Sequence, residues 1–276
     1  MLTLNCKGRL LTLDKPVVMG IINTTPDSFY AGSRHTALAE VVTTAQQMLA
    51  DGATILDLGG QSTRPGSEQI GANAEIDRVV PAIEAVHKAF PEAFISVDTY
   101  HAAVAKAAVA AGASIVNDIS GGLLDPEMLG TVADLQAPYV CMHMQGNPAN
   151  MQQNPQYSNV VTEVLDFFIQ QVAHCRQAGI KDVIIDPGFG FGKTIQHNFQ
   201  LLKQLQAFQM LGCPLLLGVS RKSTIYKTLN TTAAAALNGT TVLNTIGLMH
   251  GARILRVHDV REAVEAIQLY TAMQQA

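Results

Sequence analysis

TILDLGG, residues 54–60, is a short apolar run that carries an aspartate, Asp57, and closes on two glycines. Seven further stretches repeat its form: VVMGIIN (17–23), FISVD (94–98), SIVND (114–118), YVCMH (139–143), DVIIDPG (182–188), PLLLGVS (214–220) and RILRVHD (253–259). Near-continuous apolar runs of this length fit strands buried on both faces, as in a parallel sheet. Between them lie stretches with helical spacing at 36–51, 73–89, 101–111, 157–178 and 259–274. Gly52, Gly112 and Gly179 each follow such a stretch and precede the next run, where a helix C-terminal cap belongs. Asp125-Pro126-Glu127 reads as an N-cap with proline at the first helical position, and Asp259 with Glu262 as a capping box.

Eight such units in a chain of 276 residues predict an α/β fold, a (β/α)8 TIM barrel over 17–274 in a single domain. Residues 1–14 read as a hairpin turning at Lys7-Gly8 and covering the barrel's lower end. A dinucleotide-binding open sheet is disfavoured, because the first turn, NTTPDSFYAGSR, lacks GxGxxG spacing.

Composition narrows the function. With 48% apolar and 14% charged residues, a net charge of −4 and no basic run, nucleic acid is excluded as an expected partner. No stretch has the length of a transmembrane helix, and the N-terminus lacks signal-peptide architecture, so a cytoplasmic location is expected. Cys6, Cys141, Cys175 and Cys213 form no CxxC pair and read as free thiols.

The polar residues gather at the downstream ends of the runs: Asn23, Asp57, Asp98, Asn117 with Asp118, His143, Asp186, Ser220-Arg221-Lys222, and Arg256 with His258. One aspartate at a strand end is as often a loop anchor as a ligand. In a barrel, however, all these ends meet around one pocket. Asp98, Asn117 and Asp186 suit a ligand rich in N–H groups, such as an aminated heterocycle. Arg64, Lys222, Arg256 and His258 suit a phosphate or another acid. Residues 23–35 and 60–72 are long polar loops able to cover the mouth, and DPGFGFGKT (186–194) offers aromatic walls without P-loop spacing. No metal cage and no nucleophile–base pair is evident; Asn23 could meet a Mg²⁺ ion brought in by a diphosphate.

The stretches GIINTTPDSF (20–29), DLGGQSTRPGS (57–67), SVDTY (96–100), NDISGG (117–122), MHMQGNP (142–148), DPGFGFGKT (186–194), GVSRKS (218–223) and RVHDV (256–260) together resemble the dihydropteroate synthases of the pterin-binding barrel family. The resemblance spans almost the whole chain. It implies condensation of 7,8-dihydropterin-6-ylmethyl diphosphate with 4-aminobenzoate, a Mg²⁺ cofactor, a homodimer and sensitivity to sulfonamides. It also implies that Asp98, Asn117, Met142, Asp186, Gly218 and Lys222 hold the pterin. Asn23, Thr63, Arg64, Arg256 and His258 would bind the diphosphate, with Asn23 also facing the metal. Phe29, Pro65, Phe191, Lys222 and Ser223 would line the aminobenzoate pocket. Asp98, Lys222, Arg256 and His258 are the implied catalytic groups.

The chain departs from the family pattern after SRKS, where Thr224-Ile225-Tyr226 stands in place of a small glycine-containing turn, and in its first loop. Tyr30-Ala31 stands where the first loop often carries a small and then an acidic residue, and Thr24 replaces the more usual valine. The competing readings are a corrinoid-linked methyltransferase of the same barrel group, which does not need TPDSF, STRPG or SRKS, and a silent pterin-binding paralogue. A purely structural barrel gives no reason for polar strand ends to converge.

Overall fold

The computed structural model describes residues 2–24, 34–61, 69–148 and 150–276. β1 (Thr3–Cys6) and β2 (Arg9–Thr12) form an antiparallel hairpin. It turns through Lys7 and Gly8, both at positive φ (53° and 85°), as a two-residue turn of matching twist requires.

Eight parallel strands then close a barrel: β3 (Val17–Asn23), β4 (Ile55–Gly59), β5 (Phe94–Asp98), β6 (Ile115–Asp118), β7 (Tyr139–Met142), β8 (Val183–Asp186), β9 (Leu215–Leu217) and β10 (Ala252–Val257). They run in chain order around the barrel, and β10 pairs with β3 to close it. The helices between them are α1 (Arg34–Ala50), α2 (Ala72–Ala89), α3 (Ala102–Ala111), α4 (Met128–Leu135), α5 (Val160–Ala178), α6 (Ile195–Lys203), α7 (Ser223–Thr228), α8 (Leu237–Met249) and α9 (Val260–Gln275). A 3-10 helix, Leu205–Leu211, precedes β9. The expected (β/α)8 barrel with its N-terminal hairpin is therefore present, with strand ends shifted by at most a few residues.

Alternation along the strands places the site. Met19, Ile55, Ile115, Val140, Ile184, Leu216 and Ile254 point inward and pack with Leu4, Cys6, Leu11 and Leu13 of the hairpin. The hairpin thus plugs the lower end of the barrel, each buried leucine contributing about 1.5–3 kcal/mol. Two residues further along the same strands, on the same face, stand Ile21, Asp57, Asn117, Met142, Asp186, Gly218 and Arg256. The intervening residues, among them Val18, Leu56, Val97, Val116, Cys141, Ile185 and Leu255, face the helix layer. One period-two pattern therefore sets a dry floor under a polar mouth.

The helix-end expectations divide. Gly52, Gly112 and Gly179 all take positive φ (100°, 127° and 101°), as C-terminal caps do. The Asp125 motif is a turn before α4: the Asp125 carboxylate accepts from Glu127 N at 3.0 Å and from Ala102 N, at the start of α3, at 2.8 Å. The Asp259 capping box does not form. Asp259 precedes α9 without a side-chain cap, because its two oxygens are taken by Arg221 at 2.8 Å each. All four cysteines are free and buried. Among the described residues, no helix is long and apolar enough to cross a membrane.

Candidate active site

Register brings the polar strand ends into one rim. Asn23 pairs with Gly59, Gly59 with Asp98, Asp98 with Asn117, and Met142 with Asp186. Arg256 from β10 reaches along the rim, past β3, to β4 and β5. Its Nε donates to Asp57 Oδ2 at 2.6 Å and its Nη2 to Asp98 Oδ2 at 2.6 Å. Asn117 Nδ2 donates to the same Asp57 oxygen at 3.1 Å. Asp57 Oδ1 and Asp98 Oδ1 are buried with no hydrogen-bond partner. Burial pushes the Asp98 carboxyl up to about 7, with Arg256 opposing and Asp57 adding to the rise.

A second group lies on the adjoining wall. Asp186 Oδ1 accepts from Gly188 N at 2.8 Å, and burial raises its pKa against the attraction of Lys222. A Cβ at Gly218 would stand 3.6 Å from Asp186 Oδ2 and 3.8 Å from Lys222 Nζ, so both side chains border this bare backbone. Lys222 Nζ donates to Phe189 O at 2.5 Å and sits 4.6 Å from the Phe191 ring centroid. Burial lowers the Lys222 ammonium to about 8, although Asp186 favours its charge. Met142 packs with Tyr100 and Ile119, and Phe191 closes that cluster.

His258 follows β10. Its Nδ1 lies 3.0 Å from Ser220 Oγ, which also accepts from His258 N at 3.2 Å. Ser220 thus orients His258, and Arg221 clamps the same two segments through Asp259. Asn23 is exposed at the rim, and Ser223 opens α7 immediately after Lys222. The structure therefore brings together Asp98, Asn117, Met142, Asp186, Gly218, Lys222, Phe191 and Arg256. Asn23, His258 and Ser223 border that group. Phe29, Thr63, Arg64 and Pro65, together with Tyr30-Ala31, lie outside the described residues.

Two residues gain weight that the sequence alone did not give them. Asp57 appeared only as one polar strand end, yet it holds both Arg256 and Asn117. Lys193, one letter in a glycine-rich stretch, is a buried cation touching three carbonyls and His143. Neither signal is wholly local: Asp57 is met by residues 60 and 199 positions away, and Lys193 reaches His143, 50 positions away, as well as its own loop.

The model of the family described as "pterin binding enzyme" matches residues 19–258, from the middle of β3 to the segment after β10. The chain belongs to this family of pterin-binding enzymes. A dihydropteroate synthase of Escherichia coli K12 is 46% identical over 268 residues, covering 96% of this chain and 94% of its own length. The structure of the Yersinia pestis dihydropteroate synthase with a sulfonamide drug superposes with a TM-score of 0.93 at 42% identity, covering both chains completely. That of the Xanthomonas albilineans enzyme in complex with 7,8-dihydropteroate does so with a TM-score of 0.88 at 36% identity, again over both complete chains. These relatives bear the synthase name and not a methyltransferase's, which decides between the two pterin-barrel readings.

Proposed function

We propose that this protein is the transferase of folate biosynthesis that joins 7,8-dihydropterin-6-ylmethyl diphosphate to 4-aminobenzoate, forming 7,8-dihydropteroate and diphosphate. The observation that carries this reading is the set of unsatisfied acceptors in the mouth. Asp57 Oδ1 and Asp98 Oδ1 are buried without donors beside the Asn117 amide. Such atoms cost free energy until a ligand N–H meets them. A pterin carries a 2-amino group and ring N–H groups at the spacing of a fused bicycle, and it also accepts from Lys222.

Asp98, Asn117, Asp186 and Lys222 hold the pterin edge, Met142 packs on the ring, and Gly218 lets it approach the backbone. Arg256 and His258 face the diphosphate with Asn23, joined by Thr63 and Arg64 of the second loop. Phe191, Lys222 and Ser223, with Phe29 and Pro65, form the aminobenzoate pocket, where a sulfonamide competes. The C–O bond to diphosphate breaks first and the diphosphate keeps the electron pair. Arg256 and His258 stabilise the departing charge, and Asp98 stabilises the cation left at the methylene carbon. The aromatic amine then attacks that carbon and loses a proton to solvent. No protein nucleophile is needed.

Among the described residues, no cluster of three or more His, Cys, Asp or Glu side chains could hold a metal. The donor chemistry fits Mg²⁺ in a looser way: Asn23 offers one hard oxygen at the rim, as suits an ion that keeps waters and arrives with a diphosphate. When bound, Mg²⁺ supplies positive charge to the leaving group. The protein acts as a single pterin-binding domain in the cytoplasm, and as a homodimer. An exposed apolar face on α8 and α9, with Val242, Met249, Leu269 and Met273, favours the dimer.

Calorimetry with the dihydropterin diphosphate tests the site. Wild-type protein binds it, and Asp186→Ala weakens binding at least about tenfold. Unchanged affinity in that variant overturns the assignment of the pterin edge.

A further inference from the structure

The loop after β8 is held with unusual completeness. Five successive carbonyls each accept from a side chain: Gly188 O from Lys193 Nζ at 3.0 Å, Phe189 O from Lys222 Nζ at 2.5 Å, Gly190 O from Gln152 Nε2, Phe191 O from Lys193 Nζ at 3.0 Å, and Gly192 O from Tyr157 Oη at 2.9 Å. Gly188, Gly190 and Gly192 all have positive φ, and a Cβ at Gly188 would collide with the His143 carbonyl. The backbone is thereby fixed in a shape that side chains, not strand pairing, maintain.

Lys193 is the hub. It is 2% exposed, and its ammonium reaches two carbonyls of the loop as well as the carbonyl (3.3 Å) and Nδ1 (2.9 Å) of His143 at the end of β7. Three of these partners are carbonyl oxygens, which can only accept, and an amine head group supplies the N–H donors they need. Burial lowers the Lys193 pKa to about 7 while Asp186 opposes the drop, and burial holds His143 neutral with a pKa of about 2. Burying an ammonium is costly, and a methionine would fill the same space without that cost. The geometry indicates what the cation does. Its bond to Phe191 O sets the residue whose ring lies beneath Lys222, and its bond to Gly188 O sets the turn that presents Phe189 O to the same Lys222.

We propose that Lys193 is a positioning residue for the second substrate: it fixes Phe191 where the aromatic amine is received. This rests on the aminobenzoate pocket proposed above. Lys193 bonds the backbone carbonyl of Phe191 and acts on that pocket through the loop.

The test is steady-state kinetics of Lys193→Met in the intact enzyme, with pterin diphosphate binding measured separately by calorimetry. The KM for 4-aminobenzoate rises at least about tenfold while pterin affinity stays within about threefold, since a misplaced pocket wall costs its own substrate first. An unchanged aminobenzoate KM, or equal weakening for both substrates, overturns the proposal. Should Lys193→Met not fold, Lys193→Gln is measured in the same way; if neither folds, Lys193 is a residue of the fold and the proposal is wrong. Phe191→Ala separates the two layers. If it leaves the aminobenzoate KM unchanged, the pocket assignment has failed; if it raises that KM while Lys193→Met does not, the positioning role has failed.

Discussion

Arg256 Nε donates to Asp57 Oδ2 at 2.6 Å, reaching past β3 from β10 to β4. Asp57 is fully buried, and the same oxygen also accepts from Asn117. Asp57 therefore sets the posture of one group assigned to the diphosphate and one assigned to the pterin.

Asp57→Asn keeps the shape and removes the charge. Arg256 then loses one of its two carboxylate partners in a buried setting, and kcat/KM falls by about 10–100-fold. Steady-state kinetics checks this, and a change within about twofold would contradict the bracing role. Asp57 also contributes to the raised pKa of Asp98, so the variant moves the Asp98 titration to lower pH.

Glu75, in the first turn of α2, is 1% exposed, with neither carboxylate oxygen hydrogen-bonded and His101 Nε2 4.0 Å away. Burial pushes its pKa from 4.5 to about 8, with the Asp98 charge adding to the rise and Arg78 opposing it. The folded state then holds a proton that the unfolded state has lost. Its contribution is fully present below pH 4.5 and is lost as pH rises through about 8. Glu75→Gln carries no such charge, so its Tm gains on the wild type as pH rises, by about 2–4 °C or more at the alkaline end. Thermal melts across this range measure the gap; a gap that does not vary with pH would sink the assignment.

Arg221 and Asp259 are joined by two parallel bonds of 2.8 Å, and Arg221 also reaches the carbonyls of Ala233 and Ala234. The clamp ties the segment after β9 to the start of α9. In urea unfolding, Asp259→Ala and Arg221→Ala each cost about 1–3 kcal/mol, and the double variant costs clearly less than their sum. Strict additivity would instead favour a capping role for Asp259 that is independent of Arg221.

That pair also shows where sequence reading stopped. The strands were legible because burial on both faces leaves an unbroken apolar run, and the mouth was legible because each run ends in a polar residue. VIID announces both facts within four letters. Asp259 followed by Glu262 has the local spacing of a capping box, but spacing does not reveal that an arginine 38 residues earlier takes both oxygens. The weight of Asp57 was hidden for the same reason, since its partners stand on other strands, and that of Lys193 because His143 lies 50 positions away. Phe29, Thr63, Arg64 and Pro65 lie outside the described residues, and their roles rest on the motifs alone.

The central claim is the reaction itself, and one assay addresses it directly. Purified protein is mixed with dihydropterin methyl diphosphate, 4-aminobenzoate and Mg²⁺, and dihydropteroate and diphosphate are followed together. The account predicts that both form at equal rates and that both vanish in Asp98→Ala and Lys222→Ala. Pterin binding without either product would contradict it and would leave a pterin-binding protein that does not catalyse the condensation.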